Sequence, residues 1–246
     1  MIRLCIFPAS LKGTPNPSSF CLKLEAALRL AGVPHELSYE TDPRKAPKGK
    51  LPFIEFEGKR IGDSALILNH LKETLGVDLD RGLSDAERAQ SHMLQRMLDE
   101  RLYWVIVHNR WIEEANWPTV KALFFGGLPF PLSAIVPRMA RKSVRAALTA
   151  HGIGRHAAEE IYGFGKQDLA AMAAMLGDKP FFFGDKPTLA DVSVFATLVN
   201  ITGPEMESPL KDAALGHDNL LRHTERMGEI YASTRQKQLI ELTLAA

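Results

Sequence analysis

Cysteine is scarce in this sequence. Cys5 and Cys21 are the only two in 246 residues, too few for a disulfide framework and suited to a reducing compartment, so a cytoplasmic protein is expected. Net charge is scarce too. Thirty Lys and Arg stand against 29 Asp and Glu, a formal +1, which gives no reason to expect nucleic acid or an anionic membrane as the main partner. There is no apolar run of the ~20 residues that cross a bilayer. The most apolar window, residues 123–136, is broken by Gly126, Gly127, Pro129 and Pro131, so no transmembrane segment is expected. The N-terminus is interrupted by Pro8 too early for a signal peptide. The eight histidines fall in no metal-ligand spacing with Cys, Asp or Glu, so no metal is expected. No phosphate-binding glycine loop, nucleophile elbow, nucleic-acid motif, internal repeat or low-complexity segment is visible. What is there is ordinary for a soluble globular chain: 46% hydrophobic and 24% charged residues, enough for one large domain or two small ones.

The most informative stretch is residues 48–76. Leu51-Pro52 opens a short apolar strand from Phe53 to Phe56, Glu57-Gly58 makes a tight turn, and Lys59 to Ile61 is the return strand. Gly62, Asp63 and Ser64 start a helix, with Asp63 or Ser64 free to accept from its first-turn N–H groups. Gly76 ends that helix. A proline at the head of a strand cannot donate to a sheet ladder and marks an edge or turn, where cis bonds occur. It leaves the backbone N–H and C=O of Leu51 free for a partner that is not protein. The nearby helix start offers N–H groups, a hydroxyl and partial positive charge, which suit a carboxylate. An ordinary hairpin and helix would show the same residues.

Around this stretch the chain reads as β-α-β-loop-β-β-α. A strand is expected from Ile2 to Phe7, then a loop rich in Pro, Ser, Gly and Asn. A helix follows from Ser18 to Ala31, with Ser18 or Ser19 as its N-cap, and a strand from His35 to Tyr39. A small mixed-sheet domain over residues 1–76 follows from this order, and residues 77–83 read as a linker. Residues 84–246 carry almost no strand signal. Ser84 with Glu87 forms a capping box for a long helix to about Ala115, ended by Pro118. A helix from about Ser143 to Gly152, another from Ala157 to Leu176 and a last one from His217 to Ala232 are expected. Thr188 with Asp191 is a further capping box before Val192, Phe195, Ala196 and Val199.

A β-α-β/β-β-α domain followed by an all-helical domain resembles the glutathione S-transferase superfamily, whose N-terminal domain is thioredoxin-like. Leu51-Pro52 looks like that family's cis-proline loop, Asp63-Ser64 like its acidic-Ser pair, and Thr188-Leu-Ala-Asp191 like the box of its central helix. A narrower resemblance is to the failed-axon-connections and metaxin-like branch. It rests on Pro17 to Glu25, Gly154-Arg-His156 with Glu159-Glu160-Ile161, Asp168-Leu169 and Gly177 to Gly184. The resemblance implies glutathione as co-substrate. Leu51 and Pro52 would hold its main chain, Ser64 its γ-glutamyl carboxylate, Asp63 its ammonium and Lys50 its glycyl carboxylate. Ser18 aligns with the catalytic hydroxyl position, with Ser10 and Ser19 competing for the role. It also implies a small hydrophobic electrophile as second substrate and a homodimer.

A thiolate at neutral pH needs help, since a free thiol has a pKa of about 8.5; a hydroxyl donor at a helix N-terminus supplies it. Ser18 to Cys21 has C-x-x-C spacing with a serine in the first position, which disfavours dithiol chemistry. Trp104, His108 and Trp111 fall on one helical stripe and are candidates for the second substrate's pocket, although such stripes also build cores. Two functions follow: a glutathione transferase, or a non-catalytic binding or assembly module of the metaxin type. The apolar-basic window of residues 123–145 could serve the second as an interfacial or partner-binding segment.

Overall fold

The computed structural model of the chain describes residues 1–244, with side chains for residues 1–235. Four strands, β1 (Ile2–Ile6), β2 (His35–Tyr39), β3 (Phe53–Phe56) and β4 (Lys59–Gly62), form one sheet in the order β2-β1-β3-β4. β1 lies parallel to β2, with Leu4 opposite Leu37, and antiparallel to β3, with Leu4 opposite Ile54. Its apolar run is therefore buried in the middle of the sheet, as continuous hydrophobicity requires. The β3–β4 turn puts both Glu57 (φ 50°) and Gly58 (φ 73°) in the left-handed region, the twist that a two-residue hairpin favours. α1 (Ser19–Leu30) and α2 (Ser64–Leu75) pack on the sheet, and Gly76 closes α2 with a left-handed φ of 67°.

The second half is helical: α3 (Asp85–Met97), a π-helical segment (Leu98–Leu102), α4 (Tyr103–Trp111), α5 (Trp117–Phe125), α6 (Leu132–His151), α7 (Ala158–Leu176), α8 (Leu189–Thr202), α9 (Pro209–Leu215) and α10 (Asp218–Leu244). The Ser84–Glu87 box caps α3 as expected. The run it starts ends at Trp111 rather than near Ala115. Pro118 does not close that region but sits in the first turn of α5, where its missing N–H costs nothing. α6 begins at Leu132, well before Ser143, and carries Pro137 inside it. The proline and the glycines before it concealed a helix that tertiary packing holds. α9 was not foreseen, and α10 continues past Ala232.

α8 runs through the centre of the molecule, with nearly every side chain buried. Asp191, fully buried, accepts from Thr188 N–H (2.8 Å) and Thr188 O–H (2.7 Å), from Phe182 N–H (2.9 Å) and from His223 Nε2 (2.9 Å). Residues 77–83 are not slack. Asp80 accepts from Leu189 N–H at 3.0 Å, and Asp78 pairs with Lys72 on α2 and Arg88 on α3. At the other end of α8, Gly203 meets Gly13 backbone to backbone. A Cβ built on Gly203 would lie 1.8 Å from Gly13 O, and one on Gly13 would lie 1.9 Å from Gly203 O. Neither can carry a side chain.

Among the described residues, the helical core buries the carboxyl of Asp168 without a hydrogen bond to its Oδ2; the residue is 5% exposed, with Arg101 Nε at 3.5 Å. Burial pushes its pKa up to about 6, and Arg101 opposes the shift.

Two stability predictions follow from these contacts. Gly203→Ala should cost roughly 3 kcal/mol or more through the backbone clash, read as a lowered denaturant midpoint at unchanged slope. For Asp168, the folded state keeps its proton between about pH 4 and 6 while the unfolded chain has released it. Stability is therefore greatest below that window and falls as pH rises through it, by on the order of 2 kcal/mol. Asp168→Asn should flatten the difference between pH 4.5 and 7.5 and be the more stable protein at 7.5.

Candidate functional site

The peptide-like cradle sits where β3 begins. The Leu51–Pro52 bond is cis, and both residues are buried. Pairing with β1 and β4 starts at Phe53. Among the described residues, no hydrogen bond engages the Leu51 N–H or C=O. Asp63 rather than Ser64 caps α2: its Oδ1 accepts from Ala65 N–H (2.9 Å) and Leu66 N–H (3.2 Å), at a positive φ of 85°. Left-handed φ is uncommon for a residue with a Cβ. Among the described residues neither the Ser64 N–H, at the head of the helix, nor the hydroxyl of this buried residue has a protein partner. Lys50 is exposed and forms no ion pair there.

Ser18 heads α1. Its Oγ accepts from Cys21 N–H (3.3 Å), and its own N–H donates to Asn16 Oδ1 (3.0 Å). The N–H groups of Ser19 and Phe20 open along the helix axis, as first-turn donors do, and the Ser18 hydroxyl lies close enough to the Cys21 thiol to act on it. Ser19 stands inside the helix, and Ser10 is exposed and hydrogen-bonded to Pro8 O. Of the three serines, only Ser18 holds the cap. Cys21 is fully buried, and burial pushes its thiol up to about 12 against the pull of the Ser18 hydroxyl. Cys21 is thus a neutral packing residue at physiological pH.

What fixes Ser18 comes from the helical half. Arg110 on α4 donates Nη1 to Pro17 O (2.6 Å) and Nη2 to both Asn200 O and Asn200 Oδ1 (2.8 Å each). Asn200 on α8 in turn donates to Asn16 O (3.1 Å), and Asn16 donates to Phe7 O (2.8 Å). None of Arg110's partners here is a carboxylate, and desolvation lowers its pKa to about 10, so it stays a cation. Tyr103, one stripe with Arg110 on α4, packs edge-on against Phe20 at 4.9 Å. Burial raises its pKa, Arg110 opposing and the Cys21 thiol adding to the rise. Below them Lys23, buried, holds Asp99 at 2.7 and 2.8 Å. Burial lowers its pKa, against the pull of Asp99 and, more weakly, of Asp63.

The stripe of Trp104, His108 and Trp111 faces the other way. Trp104 stacks on His151 (4.7 Å), His108 lies edge-on to Tyr162 (5.8 Å) and 3.3 Å from Glu113, and Trp111 stacks on Phe124 (5.7 Å). Trp111 alone reaches the loop after β1, because Phe124 also meets Phe7 at 5.6 Å. Sequence reasoning missed Tyr103, Arg110, Asn16 and Asn200. The available signal was an Asn in the otherwise apolar run of α8. Among the described residues, no group of three His, Cys, Asp or Glu is arranged to hold a metal. A cavity of about 700 Å³ around Arg101, His151, Arg155, His156 and Phe164 has its cations already engaged, Arg101 by Asp168, Arg155 by Thr149 O and His156 by Glu160.

Residues 19–116 match the glutathione S-transferase N-terminal domain and residues 165–227 the glutathione S-transferase C-terminal domain. The chain is 38% identical to failed axon connections of Drosophila melanogaster over 87% of its own length, but spans only 54% of that protein. It is 30% identical to the isoprene-epoxide–glutathione S-transferase of Rhodococcus sp. (strain AD45), covering 89% of this chain and 94% of the relative. To mouse metaxin-1 it is 29% identical, over 89% of this chain and 72% of that one. A glutathione S-transferase of Methylobacterium radiotolerans, solved with glutathione sulfonate, shares the fold with a TM-score of 0.59 at 22% identity, over 95% and 93% of the two chains.

Arg110→Met should leave Pro17 O and the Asn200 amide short of partners. A cost of about 2–3 kcal/mol is expected, which in a chain of this size is a fall of about 5–10 °C in the thermal midpoint. Arg110→Lys should recover only part of it, because an ammonium cannot reproduce the fork.

Proposed function

The chain belongs to the glutathione S-transferase superfamily, and we propose that it binds glutathione at the head of β3 and transfers the thiol to a small apolar electrophile. The unpaired main chain of Leu51 beside cis Pro52 carries this reading. A tripeptide laid along it gains two backbone hydrogen bonds as an added strand. The γ-glutamyl carboxylate accepts from the Ser64 hydroxyl and N–H, assisted by the start of α2. Asp63 meets the ammonium with Oδ2, the oxygen its cap leaves free, and Lys50 meets the glycyl carboxylate.

In this pose the sulfur lies at the start of α1. The Ser18 hydroxyl donates to the thiolate, and the open N–H groups of Ser19 and Phe20 add partial positive charge, which together favour the ionised form. The thiolate attacks carbon, a C–S bond forms as the carbon–leaving-group bond breaks, and the leaving atom takes a proton. With an epoxide, the class named in one relative, that atom is the ring oxygen. Tyr103, held in its protonated form by burial, is the hydroxyl nearest in kind to that need. Trp111, Phe124 and Phe7 supply apolar wall. Trp104 and His108 stay in the proposal only as support behind that wall. Cytoplasmic residence and a homodimer complete the reading.

A second reading, a non-catalytic binding or assembly module, is supported by the 38% identity to failed axon connections and the likeness to metaxin-1. One pair of measurements separates the two. Calorimetry should show glutathione binding that Ser64→Ala weakens about tenfold, the value of a hydrogen bond to a charged group. Turnover of a small apolar epoxide should fall about a hundredfold in Ser18→Ala with affinity nearly kept. No heat at millimolar glutathione would sink the first reading; binding without turnover would favour the second.

A further inference from the structure

From Ala115 to Ala158 the sequence has no Asp or Glu, yet it carries Lys121, Arg138, Arg141, Lys142, Arg145 and Arg155. The other 24 cations are set against all 29 anions, so the near-neutral total conceals a basic segment on an acidic remainder. This segment contains α5, α6 and the loop between them.

The same segment exposes apolar side chains. Phe130 at the loop tip is 86% exposed, and Leu132, Ile135 and Met139 on α6 are 47%, 50% and 65% exposed. The three α6 residues are spaced i, i+3 and i+7 and share one face. Arg138, Lys142 and Arg145, spaced i, i+4 and i+7, share the adjoining face and are exposed, without an ion pair among the described residues. Arg141, by contrast, is pinned to Trp111 O, Ile112 O and Glu114 and holds the helix in place.

An apolar stripe beside a row of cations is the pattern of a helix lying in a bilayer interface. We propose that this face of α6, with Phe130, docks on an anionic lipid surface. Charge complementarity selects that occupant. Isologous pairing of two copies through this face would bring two rows of cations into one interface. No helix among the described residues is long and apolar enough to cross a membrane, so the contact is peripheral.

The test is co-sedimentation of the full chain with vesicles of phosphatidylcholine alone, or with about one-third phosphatidylserine. Binding is expected to the anionic vesicles and to be lost in about 1 M salt, where the screening length is about 3 Å. Arg138→Gln, Lys142→Gln and Arg145→Gln should each weaken it about fivefold, and about a hundredfold together. Ile135→Ser with Met139→Ser should weaken it at least tenfold with the charges intact. All five positions are exposed or carry no buried contact, so unchanged thermal midpoints will show that folding is kept. Three results would overturn the proposal: no binding to anionic vesicles at low salt; a dimer that the same substitutions dissociate; or capture by soluble polyglutamate that the Ser substitutions leave unchanged, which would mark an acidic polypeptide as the partner.

Discussion

The position of the Ser18 hydroxyl depends on a guanidinium in the other half of the molecule. Arg110 binds Pro17 O, the carbonyl immediately before the cap, and binds Asn200 on the central helix through two oxygens. An arginine without a carboxylate partner is unusual in so desolvated a place, because a buried charge is expensive unless its donors are used. Here the planar fork spends its donors on amide oxygens that would otherwise be left unsatisfied in the interior. The Gly13–Gly203 contact adds a second clamp to the same loop. The mixed sheet offers the unpaired Leu51 main chain, but the helical half decides where the Ser18 hydroxyl stands against it.

α8 can carry that duty because both of its ends are tied. Its N-terminus is closed by its own box and by Asp80 from residues 77–83, and Asp191 extends the tie to Phe182 and His223. Its C-terminus meets the loop through Gly203. Loosening either end would shift Asn200, then Arg110, then the backbone that presents Ser18. A buried carboxylate with four donors is well satisfied, and breaking such a network by removing one member leaves the others short of partners.

Local chemistry was legible in the sequence wherever a residue type has one strong conformational reason. The boundaries of β3 follow from an apolar run between Pro52 and the Glu57-Gly58 turn, and the caps at Ser84 and Thr188 from hydroxyls ahead of helical periodicity, while the cap of α1 stayed open between Ser18 and Ser19. The cis proline is also a local feature. Arg110 and Asn200 were opaque because their partners lie 93 and 90 residues away, and no spacing rule connects them. The aromatic stripe on α4 was visible as a stripe, but periodicity gives a face and not its direction. The face with Tyr103 and Arg110 turned toward Ser18, and that with Trp104 and His108 turned inward. α6 was hidden by Pro137, whose cost in isolation, about 3 kcal/mol, is met by contacts that no local rule records.

The two parts of the site rest on different kinds of constraint. The Leu51 main chain is unpaired because the pairing of β3 with its neighbours starts only at Phe53. Ser18 is both an N-cap and a candidate donor, and an aspartate or asparagine would cap as well while losing or altering the donated proton. Selection on the fold alone would therefore keep a capping residue at this position without keeping a hydroxyl. One substitution that stability scarcely registers would then remove the proposed donor. Relatives as different in name as an isoprene-epoxide transferase and metaxin-1 matching one chain over 89% of its length is what such a loosely coupled site permits.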